Sequence, residues 1–449
     1  MNRAELGIRI PEFLLPNSRI DLAKWPVVAC DQYTSEPEYW RRVAELVGDN
    51  PSTFHIIFPE VYLGKNDEPE RIYQIQQTML AYLEQAVLQP VEPGLIWVER
   101  TSSHGKTRRG LMVAVDLEYY DFHQGAQSLI RATEGTVLER IPPRVRIREG
   151  AAVESPHIMV LIDDPERQVI ESLAETAKAK APLYDIDLMM NGGHLTGCQI
   201  TDPAAIDRVL AGLAKLADPE LFAAKYGVES ARVLLMAVGD GNHSLATAKT
   251  VWEKIKTTLR DTETLANHPA RFAMVELVNV HDVGLEFEPI HRVLFNLDPE
   301  QFLGEMQQHF NAFGSETFLT PLRDETAMLE RVNAQPESEA QQVIGYCHHA
   351  GYGIITVTNP RLTLAVGTLQ SFSDGWLTNH PEAQIDYIHG NEVVTSLGRK
   401  TGNLGLYLPP MSKQALFRTV IVEGVLPRKT FSMGEAEEKR FYMECRKII

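Results

Sequence analysis

The apolar run Val233-Leu234-Leu235-Met236-Ala237-Val238 stops abruptly at Gly239-Asp240-Gly241-Asn242-His243, and a different pattern begins. Leu245, Ala248, Trp252, Ile255 and Leu259 then recur near a 3.6-residue period, which predicts a buried strand, a tight polar turn and a helix. Elsewhere the pattern predicts a short strand at 27–30 and helices that open on prolines at 37, 69, 165, 203, 219 and 299. Two hairpins are expected, one with its polar turn at 103–106 and one around Asn191-Gly192-Gly193-His194. Further strands are expected at 157–162, 272–280, 343–348 and 353–357, and a helix at 324–333. Hairpins interleaved with helices predict an α+β fold rather than a doubly wound parallel sheet. The pattern restarts beyond Asn296, so the expected division is a main α+β domain over 1–295 and a C-terminal α+β region over 296–449 that packs on the same site. There is no internal repeat and no low-complexity linker.

The turn at 239–243 is the most informative stretch. A helix start exposes unpaired backbone N–H groups and the positive end of its dipole, so it readily receives an anion such as phosphate. Glycines let the chain approach a ligand, and Asp240, Asn242 and His243 bring an acid, an amide and an imidazole to one point. Replacing Gly241 is therefore expected to affect binding more than folding. The competing reading is a plain turn in which Asn242 or Ser244 caps the helix.

This stretch resembles the Asp-Gly-His-His-Arg signature of the DUF1015 family. Asp240, Gly241, His243, Thr247 and Ala248 match in register, whereas Asn242 stands in place of the first His and Ser244 in place of the Arg. Three further segments resemble the family in order: WPVVACDQY at 25–33, RATEGTVLER at 131–140 and LPRKTFS at 426–432. Glu288-Pro289-Ile290-His291-Arg292 resembles a fourth. More distantly, the turn resembles the strand–turn–helix of the ParB and sulfiredoxin superfamily, whose members bind nucleotides there and in some cases phosphorylate free serine. The resemblance implies a ParB/sulfiredoxin-like core with a smaller C-terminal α/β part, and nucleotide phosphates held by His243 and the backbone around Gly241.

Phosphoryl transfer needs a phosphate cradle, a divalent metal, cations and a carboxylate to take the acceptor's proton. Candidates exist for each part. Asp240, Gly241, Asn242, His243 and Ser244 form the cradle; Asp240, Glu134 or Asp31 would hold magnesium; Asp31, Glu36 or Glu134 would act as base. Arg140, Arg144, Arg292 and Lys429 would neutralise charge, and His243 and His291 complete the catalytic set. The expected cofactors are magnesium and a nucleoside di- or triphosphate, and the expected partner is a small hydroxylated metabolite. Each residue also has a structural reading. Asp31 can cap the turn before the Pro37 helix, Glu134 can pair with Arg131 or Arg140, His291 can be a core imidazole bonded to backbone, and Lys429 can be a solvated lysine.

Two other classes remain open: a regulatory nucleotide binder without catalysis, and a metal-dependent hydrolase built on His104, His194, His243 and His291. The latter lacks any His pair at helical or strand spacing outside the Gly-flanked His348-His349. A net charge of −17 disfavours nonspecific binding to nucleic acid or anionic membranes. The N-terminus lacks a signal-peptide pattern, and the four cysteines are far apart with no CxxC pair, which fits a reducing cytoplasm.

Overall fold

The computed structural model describes residues 5–228, 232–334 and 340–449. The chain is an α+β protein that divides into two units, one formed by Met1–Leu285 with Glu435–Ile449 and the other by Glu286–Gly434. The predicted boundary at 296–299 falls inside the second unit, and the chain returns to the first after Gly434.

Within the described residues, the first unit is built on a ten-stranded mixed sheet. Its path runs Tyr184–Leu188, Gly193–Ile200, Leu95–Thr101, Thr107–Asp116, Phe272–Asn279, Met159–Ile162, Met236–Asp240, Ile130–Ala132, Tyr120–Asp121, with Ile8–Arg9 paired to Thr107–Asp116. The hairpin half is antiparallel, whereas Met159–Ile162 runs parallel to Phe272–Asn279 and antiparallel to Met236–Asp240. Side chains alternate between faces along a strand, and here both faces are covered. Trp97, Leu111, Val113 and Val275 join one core, which also takes Leu245, Ala248 and Trp252 of the helix Asn242–Lys256. Ile96, Val98, Met112 and Met274 join the other, with Trp25, Trp40 and Phe441. This two-sided burial explains the apolar runs that the central strands show in sequence.

The helix Pro37–Val47 starts at its proline as predicted. Three local expectations are corrected. Val27 and Val28 are fully buried, but the segment makes only an isolated bridge, Val28 to Phe441, instead of a strand. The helix expected from 69 to 88 ends at Glu84, because Leu88–Pro90 pairs with Leu14–Pro16. The helix expected over 165–181 shrinks to Ala174–Lys178 after a short turn at Glu171–Leu173.

The segment Glu435–Ile449 threads through the second of these cores. Leu14 and Cys445 exchange backbone hydrogen bonds of 2.8 and 2.9 Å, and Tyr442 N–H donates to Val27 O at 2.9 Å. Beside them lies a buried ionic network. Arg440 is 4 % exposed and lies between Glu276 (1 %) and Glu444 (0 %), donating to both. Arg108 Nε reaches Glu276 at 3.3 Å, and Arg446 holds Glu154 at 2.8 Å.

Within the described residues, the second unit carries a six-stranded antiparallel sheet in the order Glu316–Leu322, Gly351–Thr358, Gln341–His348, Asn403–Tyr407, His291–Phe295, Gln384–Ile388. It opens and closes on the paired strands Glu288–Pro289 and Phe431–Ser432. Among the described residues, no helix is long and apolar enough to cross a membrane.

Candidate functional site

The strand Met236–Asp240 ends at Gly241, which takes the left-handed conformation (φ 79°, ψ 26°), and the helix Asn242–Lys256 starts at once. Glycine is required twice here. A Cβ would be strained at this φ, and it would stand 3.0 Å from Cα of Ile158. The expectation that Gly241 can be replaced with little effect on folding is therefore corrected. Gly241→Val should cost about 2 kcal/mol or more in stability; an unchanged urea midpoint would refute this. Among the described residues no side chain caps the helix, and its first backbone bond runs from Leu245 N–H to Gly241 O at 3.0 Å. By helix geometry the N–H groups of residues 242–244 have no acceptor within the helix. The Gly241 N–H is taken by the Asp240 carboxylate at 2.9 Å.

The side chains around this helix start are organised by neighbouring segments of the same unit. Asn242 turns back, its Oδ1 accepting from Thr133 N–H at 3.3 Å and its amide donating to Val238 O at 3.4 Å. Asn242 thus locks the turn onto the loop after Ile130–Ala132. His243 Nε2 accepts from Val137 N–H at 3.2 Å. Burial, with Arg144 and Arg140 nearby, pushes its pKa down to about 4, so the ring is neutral at pH 7. Ser244 Oγ lies 3.1 Å from His157 Nε2, and His157 Nδ1 lies 2.7 Å from the Tyr442 hydroxyl. Asp31 Oδ2 stands 3.9 Å from His157 Nε2. Lys439 Nζ sits 3.3 Å from Asp240 Oδ2. Burial raises the Asp240 carboxyl, but Lys439, His157 and the Gly241 N–H outweigh it and hold the pKa below the usual value. Glu60 pairs with Arg144; burial is the main reason its carboxyl is raised, and Asp31 adds to it.

A cavity of about 150 Å³ adjoins this cluster. Its polar lining includes Glu60, Arg144, His157, Ser244 and Tyr442, and its other walls are mostly apolar.

Of the residues expected from sequence, Asp31, Asp240, Asn242, His243, Ser244 and Arg144 gather here. Glu134 is half-buried on the loop between Thr133 and Val137, the two residues that bond Asn242 and His243. Arg140 is exposed at the end of the short helical turn Leu138–Arg140 that follows this loop, and Glu36 is exposed before the helix Pro37–Val47. His291, Arg292 and Lys429 belong to the second unit. His291 is buried and its Nδ1 accepts from Leu408 N–H at 3.1 Å, which is the core-imidazole reading. Arg292 is fully buried; it donates to Lys429 O at 2.9 Å and Arg428 O at 3.1 Å and lies over the Tyr387 ring. Lys429 is exposed. Among the described residues, no group of three or more His, Cys, Asp or Glu is arranged to hold a metal ion. His104 is exposed at a hairpin tip, and His194 is held between Asp185 and Asp187, each at 2.7 Å.

Four members of the cluster were missed from sequence: His157, Glu60, Lys439 and Tyr442. The available signals were Pro156-His157 just before a strand, and the mixed apolar and charged stretch Arg440-Phe441-Tyr442-Met443-Glu444-Cys445-Arg446.

Fold and site together define an α+β protein with an uncapped helix start set among carboxylates, imidazoles and cations. The chain belongs to the DUF1015 family, described as protein of unknown function, whose profile matches residues 14–376. No curated protein matches it. Among solved structures it is similar to a free serine kinase in complex with AMP, at 8% identity and a TM-score of 0.36, covering 75% of this chain and 92% of that chain. A conserved hypothetical protein from Pyrococcus furiosus matches at 10% identity and a TM-score of 0.33, covering 75% and 94%. SbnI with C-terminal truncation from Staphylococcus aureus matches at 10% identity and a TM-score of 0.33, covering 74% and 85%.

Proposed function

We propose that the first unit binds a nucleoside di- or triphosphate through its phosphates at the start of the helix Asn242–Lys256 and transfers a phosphoryl group to the hydroxyl of a small metabolite, a class that includes free serine. The observation that carries this reading is the uncapped helix start with Asp240–Lys439 on one side and Asp31, His157 and Ser244 on the other. The N–H groups of residues 242–244 would take phosphate oxygens. Arg144, Arg140 and Lys439 would neutralise the charge that grows on the leaving phosphate. In the transfer, the acceptor oxygen forms a bond to the terminal phosphorus, the bond from that phosphorus to the nucleotide oxygen breaks, and the hydroxyl proton passes to Asp31.

The carboxylates at the turn are oxygen donors of the kind magnesium takes, and that ion needs only one or two of them beside phosphates. Asp240, with Glu134 as the second carboxylate, would hold it, and it would supply charge neutralisation on the phosphates. His291, Arg292 and Lys429 have no part in this proposal.

The test is a thermal-shift panel of AMP, ADP, ATP, CTP and GTP with and without magnesium. A ligand at one hundred times its Kd stabilises the native state by about 2.7 kcal/mol, so a rise in Tm of several degrees is expected for at least one nucleotide. No shift with any of them ends the reading. Binding without acceptor-dependent turnover across amino acids, polyols, hydroxy acids and small aliphatic alcohols would make the protein a regulatory nucleotide binder instead.

A further inference from the structure

The cavity beside the helix start has a composition that the transfer reaction does not require. Its body is made by Ile57, Phe58, Met79, Ala151, Val153 and Ile448, all buried. The polar side chains that reach it are already committed to other groups of the protein. Glu60 pairs with Arg144, and Glu154 with Arg148 and Arg446. His157 bonds Tyr442 and Ser244, Thr247 donates to His243 O, and Ser155 donates to Glu444 O. A guest entering this space meets hydrocarbon on most sides. A charged amino-acid backbone or a polyol would lose its water there without gaining partners, and each buried unpaired polar group is costly. A nucleobase edge, with several donors and acceptors, meets the same objection.

We propose that the cavity receives the aliphatic body of the phosphoryl acceptor, so that the substrate is a small alcohol with a compact hydrocarbon part rather than free serine or a polyol. This inference rests on the transfer reading given above. Ser244 and Thr247, on the first turns of the helix Asn242–Lys256, and His157 line the same cavity. The acceptor hydroxyl would lie at this polar end, near Asp31, with its hydrocarbon away from the phosphates. An apolar cavity of this size accommodates a benzene-sized guest, a body of roughly six carbons.

The test measures binding of ethanol, 1-butanol, 1-pentanol, 1-hexanol, glycerol and serine to the full chain by calorimetry or ligand-observed NMR. Affinity is expected to tighten about fourfold per added methylene until the cavity is full. Ala151→Leu, which fills part of the space, should remove the dependence on chain length and leave nucleotide binding unchanged. The wild-type series decides the matter alone should that variant fail to fold. Serine or glycerol binding as well as 1-hexanol, no trend with chain length, or displacement of 1-hexanol by adenosine would each overturn the assignment. A clear trend in a protein that binds no nucleotide would uphold the apolar site and bring down the transfer reading instead.

Discussion

Asp31→Asn is expected to lower acceptor-dependent nucleotide consumption by a factor of about 10² or more, with little change in nucleotide affinity or melting temperature. The substitution keeps the shape of the side chain and removes its charge and its capacity to take a proton. Asp31 is only partly buried, with Oδ1 accepting from Gln32 Nε2 at 2.9 Å and Oδ2 facing His157, so its loss should disturb packing little. A second readout separates a local charge effect from general damage. Asp31 helps to raise the Glu60 carboxyl and opposes the lowering of His243. In the variant both groups should therefore titrate lower than in the wild type, as NMR-monitored pH titration would reveal. Wild-type turnover in Asp31→Asn would remove this residue from the reaction, and Glu60 would then be the carboxylate to test.

The largest effect on stability is expected at Arg440. Replacing it with methionine leaves Glu276 and Glu444 in the interior without the cation between them. Removing one partner of a buried ionic group typically costs about 3–5 kcal/mol. Because the chain has two units, the loss should be read on a probe of the first alone, such as tryptophan fluorescence in a urea titration of a Trp376→Phe background, where Trp25, Trp40, Trp97 and Trp252 all report on the first unit. Combining Arg440→Met with Glu276→Gln should recover part of the loss, since one orphaned charge is then absent. A loss under about 1 kcal/mol would show that water reaches the network. The same network sets a pH dependence. Although burial raises it, Glu276 is held below the usual 4.5 by Arg108 and Arg440. A carboxylate with a depressed folded pKa binds fewer protons folded than unfolded. Its stabilisation is therefore complete above pH 4.5 and is lost as pH falls through the lower folded value. Acid unfolding of the first unit should shift to higher pH in Arg440→Met.

The parts of this structure that were legible in sequence are those fixed by short-range periodicity. The strand, glycine turn and helix across 236–256 could be read because the switch from apolar run to helical spacing is local, and both hairpins announced themselves through glycine turns. The Val27–Val28 segment is buried without being a strand: Val27 N–H donates to Thr53 Oγ1, and the other partners of the stretch come from a segment more than four hundred residues away. Long separations in sequence, though shorter than this one, also hid Lys439 from Asp240 and Tyr442 from His157. Nothing near either residue indicates that one will neutralise Asp240 and the other will hold His157. His291 and Arg292 show a different limit of the sequence: a buried imidazole and guanidinium that bond backbone carry the same letters as a catalytic pair.

The return of the chain to the first unit at Glu435–Ile449 has a consequence for how the protein is made. On the ribosome, Met1–Leu285 emerges before Glu435–Ile449, and until then it lacks Arg440 beside Glu276, Tyr442 beside His157 and the partner that Leu14 bonds. The whole of Glu286–Gly434 must be synthesised before those groups arrive. At ordinary elongation rates this interval lasts roughly 7–30 s, ample time for the second unit to close its own sheet. The nascent first unit spends that interval with a buried acid short of a cation and an uncovered apolar face. Birth order thus leaves the candidate site incomplete until Glu435–Ile449 is made, and chains released before that point would carry the helix start but not the lysine that faces Asp240.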